Sequence, residues 1–454
     1  MTQSQGRFLT GSTMGHVMRM TLAGTAGITF MFLVDAANLL WISQLGDVQL
    51  LAAIGFAFAI QFFSISFGLG LMIAATAIVS KSIGQNQYDL ARQQASSAMI
   101  LAFLVQAFVA FLILIYRHEV VALSGAVGET AALTERYLLL TLPTLPIMAI
   151  GLVGGAILRA EGDALRAMLV TMISGGVAML IDPVLIIMLD LRLDGAAMAL
   201  WISRVAMAGL ALWFVIGKHN LMARPTFKQL RMTSGIFFAI SIPIILTQLA
   251  SPVANYLLTK VISDFGDSAV AAWAVINRLT VVAFGGIFSL SGAVGGIFGQ
   301  NYGAQKFDRL RSTYRNAIIF CAGYTILAWA VLMLASDIIT DIFRLDATGA
   351  DILWTFTHIG AAAFIFTGLM FVASAAFNNM GKPVWSTALN WLSDGLLTLP
   401  AALWLSGIFA ASGVIYAQGL VAFTVGILAT LWGFRFIKSA QQSRSEVDPN
   451  TLEA

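Results

Sequence analysis

The chain has 454 residues, of which 59% are hydrophobic and only 10% charged, against about 25% charged in an ordinary soluble domain. With a mean hydropathy of +0.87, this excludes a water-soluble globule and leaves no room for a large soluble catalytic domain. The net charge of +3 comes from basic residues scattered through short connectors, without a basic stripe and interleaved aromatics, so no nucleic-acid partner is expected. Cys321 is the single cysteine and has no partner for an intrachain disulfide. No pair of the four histidines has metal-ligand spacing, and neither a metal nor a cofactor is expected.

Residues 1–15 are polar, and no small-residue cleavage site follows the first apolar run, which is therefore expected to remain in the mature chain. At about 20 apolar residues per crossing, twelve membrane-spanning helices are predicted. They lie at 16–42, 50–80, 93–116, 130–158, 165–189, 195–217, 235–262, 268–298, 314–335, 350–377, 383–405 and 411–434. The fold class is an all-α polytopic membrane protein, expected to act as a monomer in the lipid bilayer. An even number of spans puts both termini on one side. Most Lys and Arg residues fall in the loops on that side, whereas the opposite loops carry Arg117, Arg192 and Arg344. The excess of positive charge predicts cytoplasmic termini in a multi-pass inner-membrane protein.

The polar connector at 218–234, with Lys218, Arg224, Lys228 and Arg231, divides the chain into halves. The expected parts are an N-lobe at 1–217 (helices one to six), a C-lobe at 235–438 (helices seven to twelve) and a cytoplasmic tail at 439–454. The halves repeat each other at an offset of about 215 to 220 residues. Gly84-Gln85-Asn86 recurs as Gly299-Gln300-Asn301, Gly46-Asp47 as Gly266-Asp267, and Asp89 with Arg92 as Asp308 with Arg311. Gly162 recurs as Gly381 and Gly195 as Gly413. The offset spans an even number of helices, so each helix keeps the orientation of its copy. Two pseudo-symmetric lobes around a central cavity, a common transporter plan, are therefore expected. Both Gly-Gln-Asn segments read as turns ending helices.

An ionisable side chain at bilayer depth costs several kcal/mol, so it faces a cavity or a partner. Asp35 and Asp182 each lie about 12 Å from the outer end of their helices, and so at one height. If their faces converge in a dry chamber, the pair would share a proton and titrate as one unit. The alternative for Asp182 is a local role at the Pro183 break. Arg204, about 13 Å deep on helix six, is the natural counter-charge for these acids, or else a helix-packing residue. The candidate cavity residues are Asn38, Gln61, Gln248, Asn255, Arg278, Asn390 and Asp394. Asp394, roughly mid-membrane, could pair with Arg278, either as glue between helices or as a substrate contact.

The run Val34-Asp35-Ala36-Ala37-Asn38 through Leu45-Gly46 to Leu51-Ala52-Ala53, the two Gly-Gln-Asn segments, and Asp182-Pro183 followed by Gly195-Ala196-Ala197 resemble the multidrug and toxic compound extrusion (MATE) family. The resemblance runs from about Met14 to Lys438. It implies two six-helix lobes, alternating access, and efflux of organic, often cationic, compounds in exchange for protons or sodium. In sodium-linked relatives the N-lobe ion site is similar to an Asp on helix one, an Asn and an Asp one turn apart on helix five, and a Thr on helix six. The matched positions here read Asp35, Ala178, Asp182 and Leu200. Two oxygen-bearing side chains are missing and Arg204 lies one turn from Leu200, so protons are favoured as the coupling ion over a hard cation. A branch with an acid eight residues after the helix-seven proline would place it at Ser251, so that acid is absent. The chain looks more like the DNA-damage-inducible-protein-F branch. No nucleophile and base constellation suggests an enzyme. A sodium-coupled drug antiporter and a lipid-linked oligosaccharide flippase of the same superfamily stay open as alternatives.

Overall fold

The computed structural model describes residues 6–445; the end of the expected tail, from 446 on, lies outside the described residues. Among the described residues, twelve helices are long and apolar enough to cross a membrane: α1 (Thr13–Ser43), α2 (Gln49–Gly84), α3 (Tyr88–Ile115), α4 (Gly128–Glu161), α5 (Ala164–Met188), α6 (Arg192–Lys218), α7 (Phe227–Ser263), α8 (Asp267–Gly303), α9 (Phe307–Leu334), α10 (Ala347–Asn379), α11 (Pro383–Phe409) and α12 (Ser412–Ser443). The number and order are those predicted. Helices α3, α7 and α9 begin five or more residues before their apolar runs, in turns carrying Asp89 and Arg92, Lys228 and Arg231, and Asp308, Arg309 and Arg311. Hydropathy marks where lipid begins, whereas the helix continues into water because charged residues are compatible with it.

Several spans depart from a regular α-helix. In α4, Pro143 and Pro146 supply no backbone N–H, and a 3₁₀ turn at Leu142–Thr144 separates Gly128–Thr141 from Leu145–Glu161. Beyond Pro183, α5 widens into a π turn at Val184–Met188. Further π turns end α6 at Trp213–Lys218 and interrupt α10 at Phe356–Gly360 and α11 at Trp391–Leu397. By contrast, α7 runs unbroken through Pro243 and Pro252.

The repeat is visible in turn geometry. Asn86 and Gln305 both adopt a left-handed φ of 61° just beyond α2 and α8. This sets the register: the counterpart of the helix-ending Gly84 is Gly303. The Gly299-Gln300-Asn301 segment, expected to be a helix-ending turn, instead lies one turn inside α8. Its side chains are buried and grip the N-terminal segment: Gln300 Oε1 accepts from the Phe8 amide at 3.0 Å and Asn301 Nδ2 donates to the Phe8 carbonyl at 3.3 Å. A three-residue match carries no register, which is why the sequence comparison slipped by one helical turn. Elsewhere the repeat reflects packing. A Cβ on Gly195 would stand 2.6 Å from the Leu185 carbonyl oxygen, and one on its copy Gly413 2.2 Å from that of Leu405, so glycine is what lets each pair of successive helices touch backbone to backbone.

The packing forms two compact units. One comprises Ala26–Ile83 and Gln87–Ile245; the other comprises the residues through Thr25, Gly84–Asn86, and Leu246 onward. The cuts after Thr25 and after Ile245 fall within helices, in α1 and α7, rather than in the polar connector. The core of the first unit joins Ile42 of α1, Leu50 and Ile54 of α2, Leu138, Leu142 and Leu145 of α4, and Ile186 next to α5's proline. In the second unit, Phe377, Trp385, Trp432 and Phe436 form an aromatic cluster that ties α10 and α11 to α12, with ring centroids 4.8 to 5.6 Å apart.

Candidate functional site

The first unit carries a polar cluster inside its spans, contributed by α1, α2, α4, α5 and α6. Asp182, directly before Pro183, is buried, and its Oδ2 accepts a 2.9 Å hydrogen bond from Nδ2 of Asn38. Its carboxylate thus turns to α1 rather than to its own helix break. Asn38 stands one turn beyond Asp35 on α1, on the same face. The Asp35 carboxyl is exposed and lies within electrostatic range of Asp182. One acid is therefore buried and the other exposed, and Asn38, one turn from the exposed acid, bonds to the buried one.

Arg204 is buried on α6, 6% exposed, and its neighbours are those of a helix-packing residue rather than of a counter-charge. No carboxylate comes within ion-pair distance of it among the described residues. Its guanidinium donates to Gln61 Oε1 at 3.2 Å, to the Thr144 hydroxyl, and to the Thr141 carbonyl at 3.4 Å. The proline-broken α4 explains this. In the 3₁₀ turn the Leu145 amide bonds to Leu142 rather than to Thr141, which frees the Thr141 carbonyl. The Thr144 hydroxyl donates to that carbonyl at 2.6 Å, and Gln61 Nε2 donates to the Thr141 hydroxyl at 2.8 Å. A freed carbonyl and two neutral side-chain oxygens, those of Thr144 and Gln61, thus solvate a buried cation without an acid.

Tyr137, buried one turn before Thr141, lies within electrostatic range of Arg204, Asp182 and Asp35 together. The sequence reading missed it. A tyrosine in an apolar span reads as an ordinary amphipathic or interfacial residue, so only its three charged neighbours distinguish it.

In the second unit the candidates scatter. Asn390 is buried and donates to Ser374 at 3.2 Å and to the Ser386 carbonyl at 2.8 Å, holding α11 to α10. Gln248 is half-buried, and Asn255 and Arg278 are exposed. An Asp394–Arg278 ion pair is absent among the described residues. Asp394 Oδ2 instead accepts from the Ser251 hydroxyl of α7 at 2.7 Å. The π turn that contains Asp394 changes which way this residue faces, and a sequence read at 3.6 residues per turn does not anticipate that.

Comparison with known proteins agrees with this architecture. Residues 25–184 and 243–404 match the MatE family model, one segment in each half of the chain. An FAD transporter of Shewanella oneidensis is 25% identical over 92% of this chain and 94% of its own length. The multidrug export protein MepA of Staphylococcus aureus is 22% identical over 91% of this chain and 92% of its own. A crystal structure of a MATE protein in complex with MaL6 superposes with a TM-score of 0.90 at 22% identity, covering 97% of this chain and 99% of that one. Twelve apolar helices in two repeats of six, and a family match spread over both repeats, identify the chain as a multi-pass membrane transporter rather than an enzyme, and as a member of the MATE family of multidrug transporters.

Proposed function

We propose that this transporter exports organic, often cationic, compounds in exchange for protons, by alternating access across the cytoplasmic membrane, with both termini inside. The observation that carries the reading is the Asn38 to Asp182 hydrogen bond with Asp35 in electrostatic range. Two carboxylates within electrostatic range at membrane depth, one of them buried and with no cation in ion-pair contact among the described residues, are more stable sharing one proton than carrying two charges. Asp35 is the principal proton site and Asp182 its coupled partner. Arg204, engaged by neutral oxygens, biases the pair from a distance and braces α4 against α6.

The same residues speak against sodium. A hard cation wants several oxygen ligands, and Ala178 and Leu200 supply none. The driving force is adequate: one pH unit supplies about 1.4 kcal/mol per proton and 100 mV about 2.3 kcal/mol. For a monovalent cation exchanged one for one with a proton, the voltage contribution cancels and the pH difference drives export.

The test is efflux of a fluorescent organic cation from everted membrane vesicles energised by a proton gradient. Wild type exports the dye without sodium, and Asp35→Asn abolishes export. Undiminished export by Asp35→Asn would remove the proton assignment, and a strict sodium requirement would replace the coupling ion.

A further inference from the structure

The carboxylate of Asp394 has no part in the proton pair. It sits eleven residues into α11 and fifteen before its end, which at 1.5 Å per residue puts it about 16 Å from one end of the helix and about 22 Å from the other. Ser251 is twelve residues from the end of α7, about 18 Å. Both groups therefore lie near the middle of a bilayer whose apolar core is about 30 Å thick.

Three side-chain contacts join the two helices there. The Thr247 hydroxyl donates to Thr387 at 3.0 Å, Trp391 Nε1 donates to the Leu246 carbonyl at 2.9 Å, and the Ser251 hydroxyl donates to Asp394 at 2.7 Å. The first two fix the helices. The third places a carboxylate on neutral donors alone, the Ser251 hydroxyl and that of the adjacent Ser393. The ionisable groups of the packed elements lie elsewhere along their helices. On α7, Tyr256 and Lys260 are five and nine residues beyond Ser251. On α10, Asp351 and His358 lie more than four turns before Ser374, which is level with Asn390. On α12, Arg435 and Lys438 lie beside Trp385, at the other end of α11. No cation pairs with Asp394 among the described residues.

A mid-membrane carboxylate of this kind is stable when it carries a proton or when a cation sits against it. The π turn at Trp391–Leu397 is also the local irregularity by which helices re-aim a side chain toward a site. We infer that the Asp394–Ser251 pair is a cation-recognition site of the second unit, at which the positive centre of a lipophilic organic monocation and a proton compete for one carboxylate. The inference rests on the transport reading above and deepens it. It assigns charge selection to the second unit and proton coupling to the first.

The experiment uses the purified full chain in detergent with tetraphenylphosphonium as probe, read by intrinsic tryptophan fluorescence from pH 8 to pH 5.5. Wild type binds the cation more weakly as pH falls, because protons occupy the same carboxylate. Asp394→Asn weakens binding at least about tenfold and flattens its pH dependence, while Asp394→Glu retains both. Should the Asn variant not fold, Ser251→Ala decides: losing the donor that orients the carboxylate weakens binding by about threefold or more. Wild-type affinity and pH dependence in Asp394→Asn, a Glu variant as weak as the Asn variant, unchanged binding in Ser251→Ala, or no binding by the wild type would each overturn the inference. Export abolished in Asp35→Asn vesicles together with normal probe binding by Asp394→Asn overturns this inference alone. Export that survives Asp35→Asn overturns the proton reading instead.

Discussion

The Asn38 carboxamide donates to Asp182 at 2.9 Å from a position one helical turn beyond Asp35. Any movement of the outer part of α1 that turns Asp35 away must also pull Asn38 off Asp182, so the protonation of one acid and the seating of the other are mechanically linked. Removing Asn38 leaves a buried carboxylate short of a donor, which costs about 1–3 kcal/mol. Asn38→Ala is expected to cut proton-driven dye efflux at least about tenfold with Asp35 intact, measured in everted vesicles at matched protein levels. Asn38→Asp, which adds a third acid, is expected to be no better. Efflux equal to wild type in Asn38→Ala would show that the bond does not couple the acids.

Arg204 behaves in this structure as a brace. Its guanidinium reaches acceptors on α2 and α4 from α6 in three directions, a fork that a single ammonium does not reproduce. Arg204→Lys is expected to lower unfolding stability by about 1–3 kcal/mol and to leave the pH profile of efflux in place. Thermal unfolding in detergent and efflux between pH 6 and pH 8 measure the two effects. A displaced pH profile with unaltered stability would make Arg204 a direct member of the proton site.

The backbone contact at Gly413 offers a test with an internal control. A Cβ there would meet the Leu405 carbonyl oxygen at 2.2 Å and the Ser406 nitrogen at 2.6 Å, whereas one on Gly407 would meet nothing within 4 Å. Gly413→Ala must separate α11 from α12 and is expected to cost about 1–3 kcal/mol. Gly407→Ala, within the helix, should be neutral or slightly stabilising. Equal unfolding midpoints for the two variants would contradict the contact.

Asp163 sits between α4 and α5, outside both spans. It caps α5 by accepting from the Arg166 amide at 3.1 Å, and it also accepts from His219 at 2.9 Å and pairs with the Arg166 guanidinium. Burial works against its charged form, but the Arg166 amide, His219 and the Arg166 charge together hold its carboxyl below the usual carboxylate range. A depressed folded value means that the stabilisation is complete above the unfolded value near 3.8 and is lost as pH falls through the lower folded value. Asp163→Asn is expected to lower stability by about 1–3 kcal/mol at pH 7, with the deficit constant down to about pH 4.5 and shrinking only below about pH 4. Unfolding midpoints across that range check the sign; a deficit that shrinks between pH 7 and pH 5 would place the effect on another group.

Composition and hydropathy were enough to determine twelve spans, their order and the helical repeat, because a bilayer imposes one rule on every segment that crosses it: an apolar surface with all backbone groups bonded within the helix. They also exposed Asp35, Asp182 and Asp394, since a charge inside such a run is conspicuous without any partner being known. Partners belong to the tertiary structure. Arg204 meets Gln61, Thr141 and Thr144 rather than an acid because the 3₁₀ turn at the α4 prolines frees the Thr141 carbonyl, 63 residues before Arg204 in sequence. Asp394 meets Ser251 rather than Arg278 because a π turn shifts the facing of α11. Tyr137 acquires its charged neighbours only once four helices are packed. The slip of Gly299-Gln300-Asn301 against Gly303 has the same origin: residue type is local, whereas facing depends on every turn accumulated along a helix, and one 3₁₀ or π turn is enough to redirect it.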